Sequence, residues 1–486
     1  MTGRFVLAID GGSQSTKVSV IDDHGTVHSS SQRALRPYQT PAPGRVVHPD
    51  DDLWDSLRAT TAEALHRFNG DATQIAAVGL CTIRFCRVLL DADGRLAEPV
   101  LSWMDERVSR PHDEGDRVAH VTTSSGYLTA RLTGRFRDSY AAYRGLWPID
   151  LRTTAWSTDP AAYETTGMPR HLLSDLVPPG DLLGTVTTAA AAATGIPAGL
   201  PVFATANDKA VEALGSGLNS PDTVLLSLGT YIAAMTTGTS SEAASDGYWV
   251  NFGATPGEYL YESRGIRRGM WTVSWFRDLA WGLAPTTRES AEVVEETLNA
   301  EAALVPPGCG GLMALLDWLP PAEAPHRRGA LVGFDGSQGR AHVYRAILEG
   351  IALTMAGHVA RMERDLDRAF DTLVVAGGGS RSPLLMQVLA DVFDRPTLRA
   401  AVPDAAGLGA AICAAVGAGV HPDWATARAA MVKPGAAFVA DPARADAYRY
   451  LGETYSRLSE LIEPLFDWTS RRGPGAGVGG PRRDGS

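Results

Sequence analysis

The chain has 486 residues, of which 44% are hydrophobic and 20% charged, and 44 basic against 55 acidic residues leave a net charge of −11. This composition excludes a wholly disordered chain and predicts two or three domains. The acidic balance argues against a general nucleic-acid-binding surface, although backbone amides and a few cations can still bind a phosphate locally.

The chain contains four cysteines and no long apolar run. Cys81, Cys86, Cys309 and Cys413 form no CxxC pair or Cys/His cluster, so neither structural zinc nor a disulfide scaffold is expected. No segment reaches the roughly 18 consecutive apolar residues of a membrane helix, and the N-terminus has no secretory signal pattern. We therefore expect a cytoplasmic protein without a membrane or nucleic-acid partner.

The first predicted elements are two strands joined by a turn of small polar residues. Phe5–Ile9 is typical of a buried strand, Asp10–Lys17 (DGGSQSTK) of a turn, and Val18–Ile21 of a second strand. Asp50–Phe68 has a helical period and Ile75–Leu80 the pattern of a strand. Further predicted elements are the strand Val88–Leu90, the helix Tyr127–Leu132 ending at Gly134, and the strand Pro201–Thr205 followed by a helix that ends at Gly215.

The opening pattern returns near the middle of the chain. Thr223–Leu228 and Ile232–Met235 are predicted strands, and Gly229–Tyr231 is a short turn between them. This repetition predicts two similar domains, each of which brings one turn to a shared cleft. The cluster Leu218–Asp222, rich in turn residues, is the predicted boundary.

The second half adds a helix, a strand and a glycine run. Apolar residues from Tyr344 to Met355 follow a helical period, and Leu373–Ala376 is a buried strand that leads into Gly377–Gly379. Ser382 and Pro383 then predict the N-cap and first turn of a helix. A packed helix is expected within Ala405–Val420.

The turn Asp10–Lys17 carries the groups of a phosphate site. Backbone amides of small residues bind phosphate oxygens, and Lys17 adds a positive charge. Asp10 is a ligand that Mg²⁺ accepts, usually through water. The hydroxyl donors of this turn are Ser13, Ser15 and Thr16. An ordinary hairpin has the same residue types, so that alternative stays open. A Walker P-loop is excluded, because GK[ST] is missing and a strand follows.

Three further segments have two interpretations each. Gly229–Thr230 repeats the pattern of the first turn and is either a second candidate phosphate site or a simple hairpin. Gly377–Gly379 lets a flat ligand lie against the backbone, or is a strained connection; the GxGxxG pattern of a dinucleotide site is absent. Asp208, at a strand-to-helix junction with Asn207, is a candidate general base in a cleft, or part of a helix N-cap.

Taken in order, these segments resemble the FGGY family of carbohydrate kinases, over nearly all of Val6–Phe466. The similar segments are Asp10–Lys17, Leu89–Gly94, Trp103–Arg107, Leu132–Gly134, Ala206–Gly215, Ser227–Thr230, Cys309–Leu312, Tyr344–Gly350, Gly377–Ser382 with Gln387 and Asp391, and Ala405–Ala411. Each motif alone is weak evidence, whereas their order is highly specific.

The resemblance implies a fold and a division into domains. We expect an α/β protein with two duplicated actin/hexokinase/Hsp70-like (ribonuclease H-like) ATPase domains around a central cleft. The N-terminal FGGY domain, residues 1–218, would hold the sugar site, the first phosphate motif and the catalytic aspartate. The C-terminal domain, residues 219–470, would hold the second phosphate motif and the adenosine motif. Residues 471–486, rich in Gly, Pro and Arg, are expected to be a disordered tail.

The resemblance also implies a reaction and its residues. The family transfers the γ-phosphoryl group of ATP to a hydroxyl of a sugar or polyol, so ATP and Mg²⁺ are the expected cofactors. Asp208 is the expected general base and Asp10 the expected metal ligand. The predicted ATP-binding residues are Ser13, Gln14, Ser15, Thr16, Lys17, Gly229, Thr230, Gly378, Gly379 and Ser380. The predicted substrate-binding residues are Arg84, Phe85, Trp103, Asp105, Asn207 and Asp208.

The chain departs from its relatives at Ile83–Cys86. Xylulokinase-like members have Gln-Met-His-Gly there, and glycerol kinases have a glutamate where Phe85 follows Arg84. Glycerol is therefore disfavoured and xylulose is not indicated, while a pentulose, a hexulose, a deoxysugar or a short polyol stays open. A homodimer is common among the relatives.

Three other functions fit the sequence less well. A non-catalytic nucleotide-binding regulator on the same fold is the main alternative, and the presence of Asp208 argues against it. A Hsp70-like chaperone would need a peptide-binding domain after Phe466, and a dehydrogenase would need GxGxxG.

Overall fold

The protein is built on two mixed β-sheets with helices packed against them. The computed structural model describes residues 4–472, apart from residues 114, 116, 219, 243–244, 283–287, 322 and 403. The strands are β1 (Phe5–Gly11), β2 (Ser15–Asp22), β3 (Val27–Ala34), β4 (Ile75–Thr82), β5 (Val88–Leu90), β6 (His120–Thr122), β7 (Arg137–Ser139), β8 (Ile149–Asp150), β9 (Ala155–Trp156), β10 (Asp175–Val177), β11 (Leu182–Thr185), β12 (Pro201–Ala204), β13 (Thr223–Leu228), β14 (Ile232–Gly238), β15 (Tyr248–Phe252), β16 (Tyr259–Ser263), β17 (Met313–Leu315), β18 (Ala330–Val332), β19 (Thr372–Ala376), β20 (Thr397–Arg399) and β21 (Ala437–Phe438). The α-helices are α1 (Asp52–Arg67), α2 (Ser124–Thr133), α3 (Pro160–Thr166), α4 (Thr188–Thr194), α5 (Asp208–Gly215), α6 (Gly269–Trp281), α7 (Arg288–Ala303), α8 (Arg340–Leu366), α9 (Pro383–Phe393), α10 (Ala405–Gly417), α11 (Trp424–Met431) and α12 (Pro442–Arg472).

The two large sheets share one connection scheme. The first has the order β11-β12-β4-β1-β2-β3 and the second the order β15-β16-β14-β13-β19-β20-β21. In each sheet a central strand, β1 or β13, starts an antiparallel hairpin on one side and pairs in parallel with a later strand, β4 or β19, on the other. The duplication predicted from the repeated strand-turn-strand pattern is therefore confirmed in the topology. Residues 473–486, most of the predicted disordered tail, lie outside the described residues.

The structure corrects the extent of the first turn. The sequence pattern assigned Asp10–Lys17 to a turn, but the register pairs Asp10 with Lys17 and Gly11 with Thr16 across β1 and β2. Residues 12–14 alone connect the strands. The hairpin is tighter than predicted, because the backbone pairing of β1 with β2 continues as far as Gly11 and Thr16.

Helices α5 and α10 form a layer where the two halves of the chain meet. Helix α10 lies between β20 and β21 of the second sheet in sequence, yet it packs on β1 and β4 of the first sheet and against α5. A Cβ at Gly409 would lie 2.0 Å from the Val211 carbonyl oxygen, and a Cβ at Gly215 would lie 1.9 Å from that of Ala405. No larger residue fits at this helix crossing without a backbone shift. One continuous apolar core accordingly joins this layer to both sheets.

The other face of the first sheet has its own core, formed with α1, α2 and α4. All four cysteines are buried and free, as expected for reduced thiols. Within the described ranges, no helix is both long enough and apolar enough to cross a membrane.

The buried His48 ring is expected to make the stability of the fold sensitive to acid. Its ring is buried at 1% exposure, packs edge-on against Tyr38, and has no hydrogen-bond partner on either nitrogen among the described residues. Burial lowers the pKa of His48 to about 4. The unfolded chain protonates this histidine near pH ~6.5, so the stability due to its neutral form is complete above that pH and lost as pH falls towards 4.

We therefore expect a His48→Phe variant to lose less stability than the wild type on acidification. Between pH 7 and pH 5 the difference should reach about 2 kcal/mol, measured by chemical unfolding at both pH values. An equal loss in both proteins would show that His48 is not a source of acid sensitivity.

Candidate active site

The site lies at one edge of the first sheet, where parallel strands β1, β4 and β12 end. Asp10 lies near the end of β1, Arg84 follows β4, and Asp208 begins the helix after β12. Polar residues at the carboxyl ends of parallel strands meet at one edge, which is where α/β proteins bind ligands. The predicted base, metal ligand and one predicted substrate residue are thus brought together.

Asp208 is a partly buried acid at this edge. It is the first residue of α5, and the N-cap is the preceding Asn207, whose side-chain oxygen accepts from the Ala210 amide at 3.1 Å. Its Oδ1 is buried and has no hydrogen-bond partner among the described residues. Burial raises the pKa of Asp208, and the nearby cations Arg84 and Lys209 oppose that shift. An oxygen in this state is available to accept a proton or a hydroxyl hydrogen bond.

A second acid, Asp10, faces a lysine across the β1–β2 ladder. Lys17 Nζ lies 3.8 Å from Asp10 Oδ2 and 3.6 Å from Asp404 Oδ1. Burial raises the pKa of Asp10 to about 7, helped by the carboxylate of Asp404 and opposed by Lys17. Asp404 caps α10 and was not among the predicted site residues, because its place beside Lys17 depends on the return of α10 to the first sheet.

The surroundings of Asp10 suit a magnesium ion. A buried carboxylate with a raised pKa and a second acid nearby gains from a bound cation. Among the residues that the structure describes, no three His, Cys, Asp or Glu side chains converge as a metal cage. Mg²⁺ commonly binds one or two carboxylates and completes its shell with water and phosphate oxygens, so Asp10 fits this mode.

Three glycine turns contain most of the predicted ATP-binding residues. The predicted residues of the first turn differ in exposure: Gln14 is exposed, whereas Thr16 is buried at 2%. Gly377 has φ +86°, and a Cβ there would lie 2.7 Å from the Leu228 carbonyl oxygen, so the close approach of β19 to β13 requires glycine. Gly378 faces open space, whereas the Ser380 hydroxyl turns inward and donates to the Gly377 carbonyl oxygen at 2.8 Å.

The predicted adenosine and phosphate residues therefore have unequal access. Gly378 and Thr230 are exposed residues, Gly229 is partly exposed, and Gly379 and Ser380 are buried. In the first turn, Ser13 is partly exposed and its carbonyl oxygen accepts from the Tyr38 hydroxyl at 2.8 Å. The Ser15 hydroxyl accepts from Gln32 at 2.9 Å. Ligand contact by each of these residues stays a prediction.

The predicted substrate residues fall into two groups. In the first group, the Arg84 guanidinium lies 5.1 Å from the Phe85 ring, and the Trp103 side chain is 46% exposed. The Trp103 backbone lies near the buried Cys86 thiol, which is also close enough to feel the charge of Asp208.

Asp105 and Asn207 are already engaged by the protein. The Asp105 carboxylate accepts from the Val46 amide at 2.8 Å and from Arg107 Nε and Nη2 at 2.9 and 2.8 Å. Asn207 Nδ2 donates to the Ala141 carbonyl oxygen at 3.0 Å, while its oxygen caps α5. These two side chains order their loops, and substrate contact would require the exchange of existing bonds.

One further charged group was missed by the sequence analysis. Lys209 Nζ lies 2.8 Å from both Glu212 Oε2 and Ser227 Oγ, and Ser227 donates to Glu212 Oε1 at 2.7 Å. This network ties the start of α5 to β13 just before the second glycine turn. The lysines of the chain are Lys17, Lys209 and Lys433, so two of them lie in this cleft. That scarcity was visible in the sequence and could have drawn attention to Lys209.

Comparisons with known proteins agree on one family. The model for the "FGGY family of carbohydrate kinases, N-terminal domain" matches residues 5–114 and 110–215, and that for the C-terminal domain matches residues 224–418. An uncharacterized sugar kinase, YgcE, of Escherichia coli (strain K12) is 46% identical over 452 residues, which cover 93% of this chain and 92% of that protein.

Solved structures agree as well. A xylulose kinase from Rhodospirillum rubrum has a TM-score of 0.82 and 27% sequence identity, covering 96% of this chain and all of that one (100%). Plasmodium falciparum glycerol kinase with ADP has a TM-score of 0.78 at 16% identity, covering 95% and 98% of the two chains. The second likeness concerns the fold alone.

Proposed function

Because this chain belongs to the FGGY family of carbohydrate kinases, we propose that it transfers the γ-phosphoryl group of ATP to a sugar or polyol hydroxyl with Asp208 as the general base. The acceptor would bind between Asp208 and the neighbouring Arg84 and Phe85. ATP would lie across the two hairpin turns, with its adenosine against Gly378.

The observation that carries this proposal is the state of Asp208. A buried carboxylate oxygen without a partner is costly, and such a group is retained where a ligand completes it. Asn207 already caps the helix, so the N-cap explanation for an acid at position 208 does not account for it. A hydroxyl of the acceptor that donates to Oδ1 would satisfy the oxygen and lose its proton to it as the phosphoryl group is transferred.

The rest of the site would position phosphates and balance charge, which is most of what phosphoryl transfer needs. Lys17 would pair with a phosphate oxygen, and the amides of Ser13–Gln14 and of the Gly229–Thr230 turn would donate to others. Mg²⁺ bound at Asp10 would neutralise part of the phosphate charge.

The test is ATP turnover against an acceptor panel. Purified protein with ATP and Mg²⁺ should form ADP in proportion to one class among pentuloses, hexuloses, deoxysugars, aldoses and polyols. Acceptor-dependent turnover that also requires Asp208 supports the proposal. If the protein binds ATP but phosphorylates no member of the panel, the non-catalytic regulator is favoured, and absence of ATP binding contradicts the assignment of the glycine turns.

Removing the Lys17 charge should impair the use of ATP. In a Lys17→Met variant we expect kcat/KM for ATP to fall about 10²-fold, because one cation no longer balances phosphate charge in the transition state. Steady-state kinetics with varied ATP provides the measurement. Lys433→Met is the matched control, since Lys433 is exposed and donates to the Ala430 carbonyl oxygen. Equal kinetics in the two variants would remove Lys17 from the phosphate site.

A further inference from the structure

A buried ion pair joins the two sheets beside Asp208. Arg84, after β4 of the first sheet, donates through Nη1 to Glu262 Oε2 at 2.6 Å and through Nη2 to Glu262 Oε1 at 2.7 Å. Glu262 belongs to β16 of the second sheet, and the two side chains are 12% and 0% exposed. This parallel two-bond geometry is the strongest arrangement between an arginine and a carboxylate.

The pair is held from other sides as well. Asn251 Nδ2 donates to Glu262 Oε2 at 3.1 Å, and the Phe85 ring lies 5.1 Å from the Arg84 guanidinium. Phe85 itself has φ +68°, an uncommon backbone conformation for a bulky residue. Such strain persists where the surroundings impose it, and here it places the aromatic ring beside the guanidinium.

The charges around Asp208 are balanced in pairs. The cations that act most strongly on its carboxylate are Arg84 and Lys209. Arg84 is neutralised by Glu262, and Lys209 by Glu212 at 2.8 Å. The cations beside the base are therefore already matched by buried or half-buried acids.

From this arrangement we propose that the acceptor is an uncharged polyhydroxy compound and that Glu262 is the positioning residue that excludes acidic sugars. The inference rests on the proposed function, in which Arg84 contacts the acceptor. The pair uses two of the five N–H groups of the guanidinium, so the others can donate to hydroxyl oxygens. A carboxylate on the acceptor would have to displace Glu262, whose own charge would then be buried without a partner.

The test compares acceptors that share a carbon skeleton. Xylitol is paired with xylonate and glucitol with gluconate, and xylulose and fructose extend the uncharged set. For wild-type protein we expect kcat/KM to favour the uncharged members by at least about 10-fold. In Glu262→Gln the unpaired Arg84 charge should shift this ratio towards the acids by at least about 10-fold, which a merely structural loss would not do.

Further variants separate charge from packing. Glu262→Asp keeps the charge and should keep the preference with a higher KM, and the double variant Arg84→Gln/Glu262→Gln should remove the gain for acids. Glu301→Gln is the matched control, because Glu301 forms a two-bond pair with Arg340 that is largely exposed. Its acceptor ratio should stay within about twofold of the wild type.

Three results would overturn the proposal. One is a wild-type preference for an acidic sugar, which would leave the kinase activity established and the role of Glu262 refuted. Another is a Glu262→Gln variant that folds and keeps the wild-type ratio of kcat/KM between uncharged and acidic acceptors. If that variant does not fold, the contradicting result is a Glu262→Asp variant that has lost the preference for uncharged acceptors. A wild-type protein that phosphorylates neither class would refute the proposed function itself, and the inference with it.

Discussion

Replacing Asp208 with asparagine is expected to lower kcat about 10³-fold, within the range that a general base contributes. Asparagine keeps the size and the helix-starting position of Asp208 but cannot take a proton. The unpartnered Oδ1 would be replaced by an amide group, so the acceptor hydroxyl would lose its proton acceptor without a change in the pocket shape. ATP affinity should change little, because the predicted phosphate groups lie on the glycine turns.

The measurements are single-turnover phosphorylation of the best acceptor and calorimetric titration with ATP. Asp159→Asn is the control, since Asp159 is an exposed aspartate that caps α3 through the Ala161 amide at 3.0 Å, and asparagine caps a helix equally well. Turnover of Asp208→Asn close to that of this control would contradict the assignment of the base.

Replacing Glu349 with alanine is expected to destabilise the protein by about 3–5 kcal/mol, as for other buried ion pairs that lose one partner. Glu349 Oε1 accepts from Arg345 Nε and from the Tyr448 hydroxyl, both at 2.7 Å, and Oε2 accepts from the Gly308 amide at 3.0 Å. Arg345 and Glu349 are each about 4% exposed. Without the carboxylate, the Arg345 charge would remain buried with neutral partners alone.

This effect would be a large share of a typical domain stability of roughly 5–15 kcal/mol. Denaturant unfolding of Glu349→Ala measures it, and Glu301→Ala provides the comparison, because the exposed Glu301–Arg340 pair should contribute less than about 1 kcal/mol. A similar small loss in both variants would mean that the network of α8 and α12 is not needed to hold the second half together.

The local elements of the chain could be predicted because their signals are local. The apolar run Thr223–Leu228 and the cap Ser382 with Pro383 gave the observed bounds of β13 and the start of α9. The first hairpin was predicted too open, because turn residues such as Ser15 also extend a strand when a partner strand continues beside them. The β-propensity of a single residue does not include the effect of pairing with a neighbouring strand.

The sequence by itself determined the order of the strands, the glycine turns and Asp208 at a strand-to-helix junction. That order was enough to identify the family and its kinase chemistry. These features depend on neighbours along the chain, so a linear pattern contains them. The tertiary structure alone decided the charge partners: Glu262 reaches Arg84 across 178 positions, and Asp404 reaches Lys17 because α10 returns to the first sheet. Such pairs follow from how two sheets and their shared helix layer pack, and the free energy of packing depends on surfaces that are far apart in sequence.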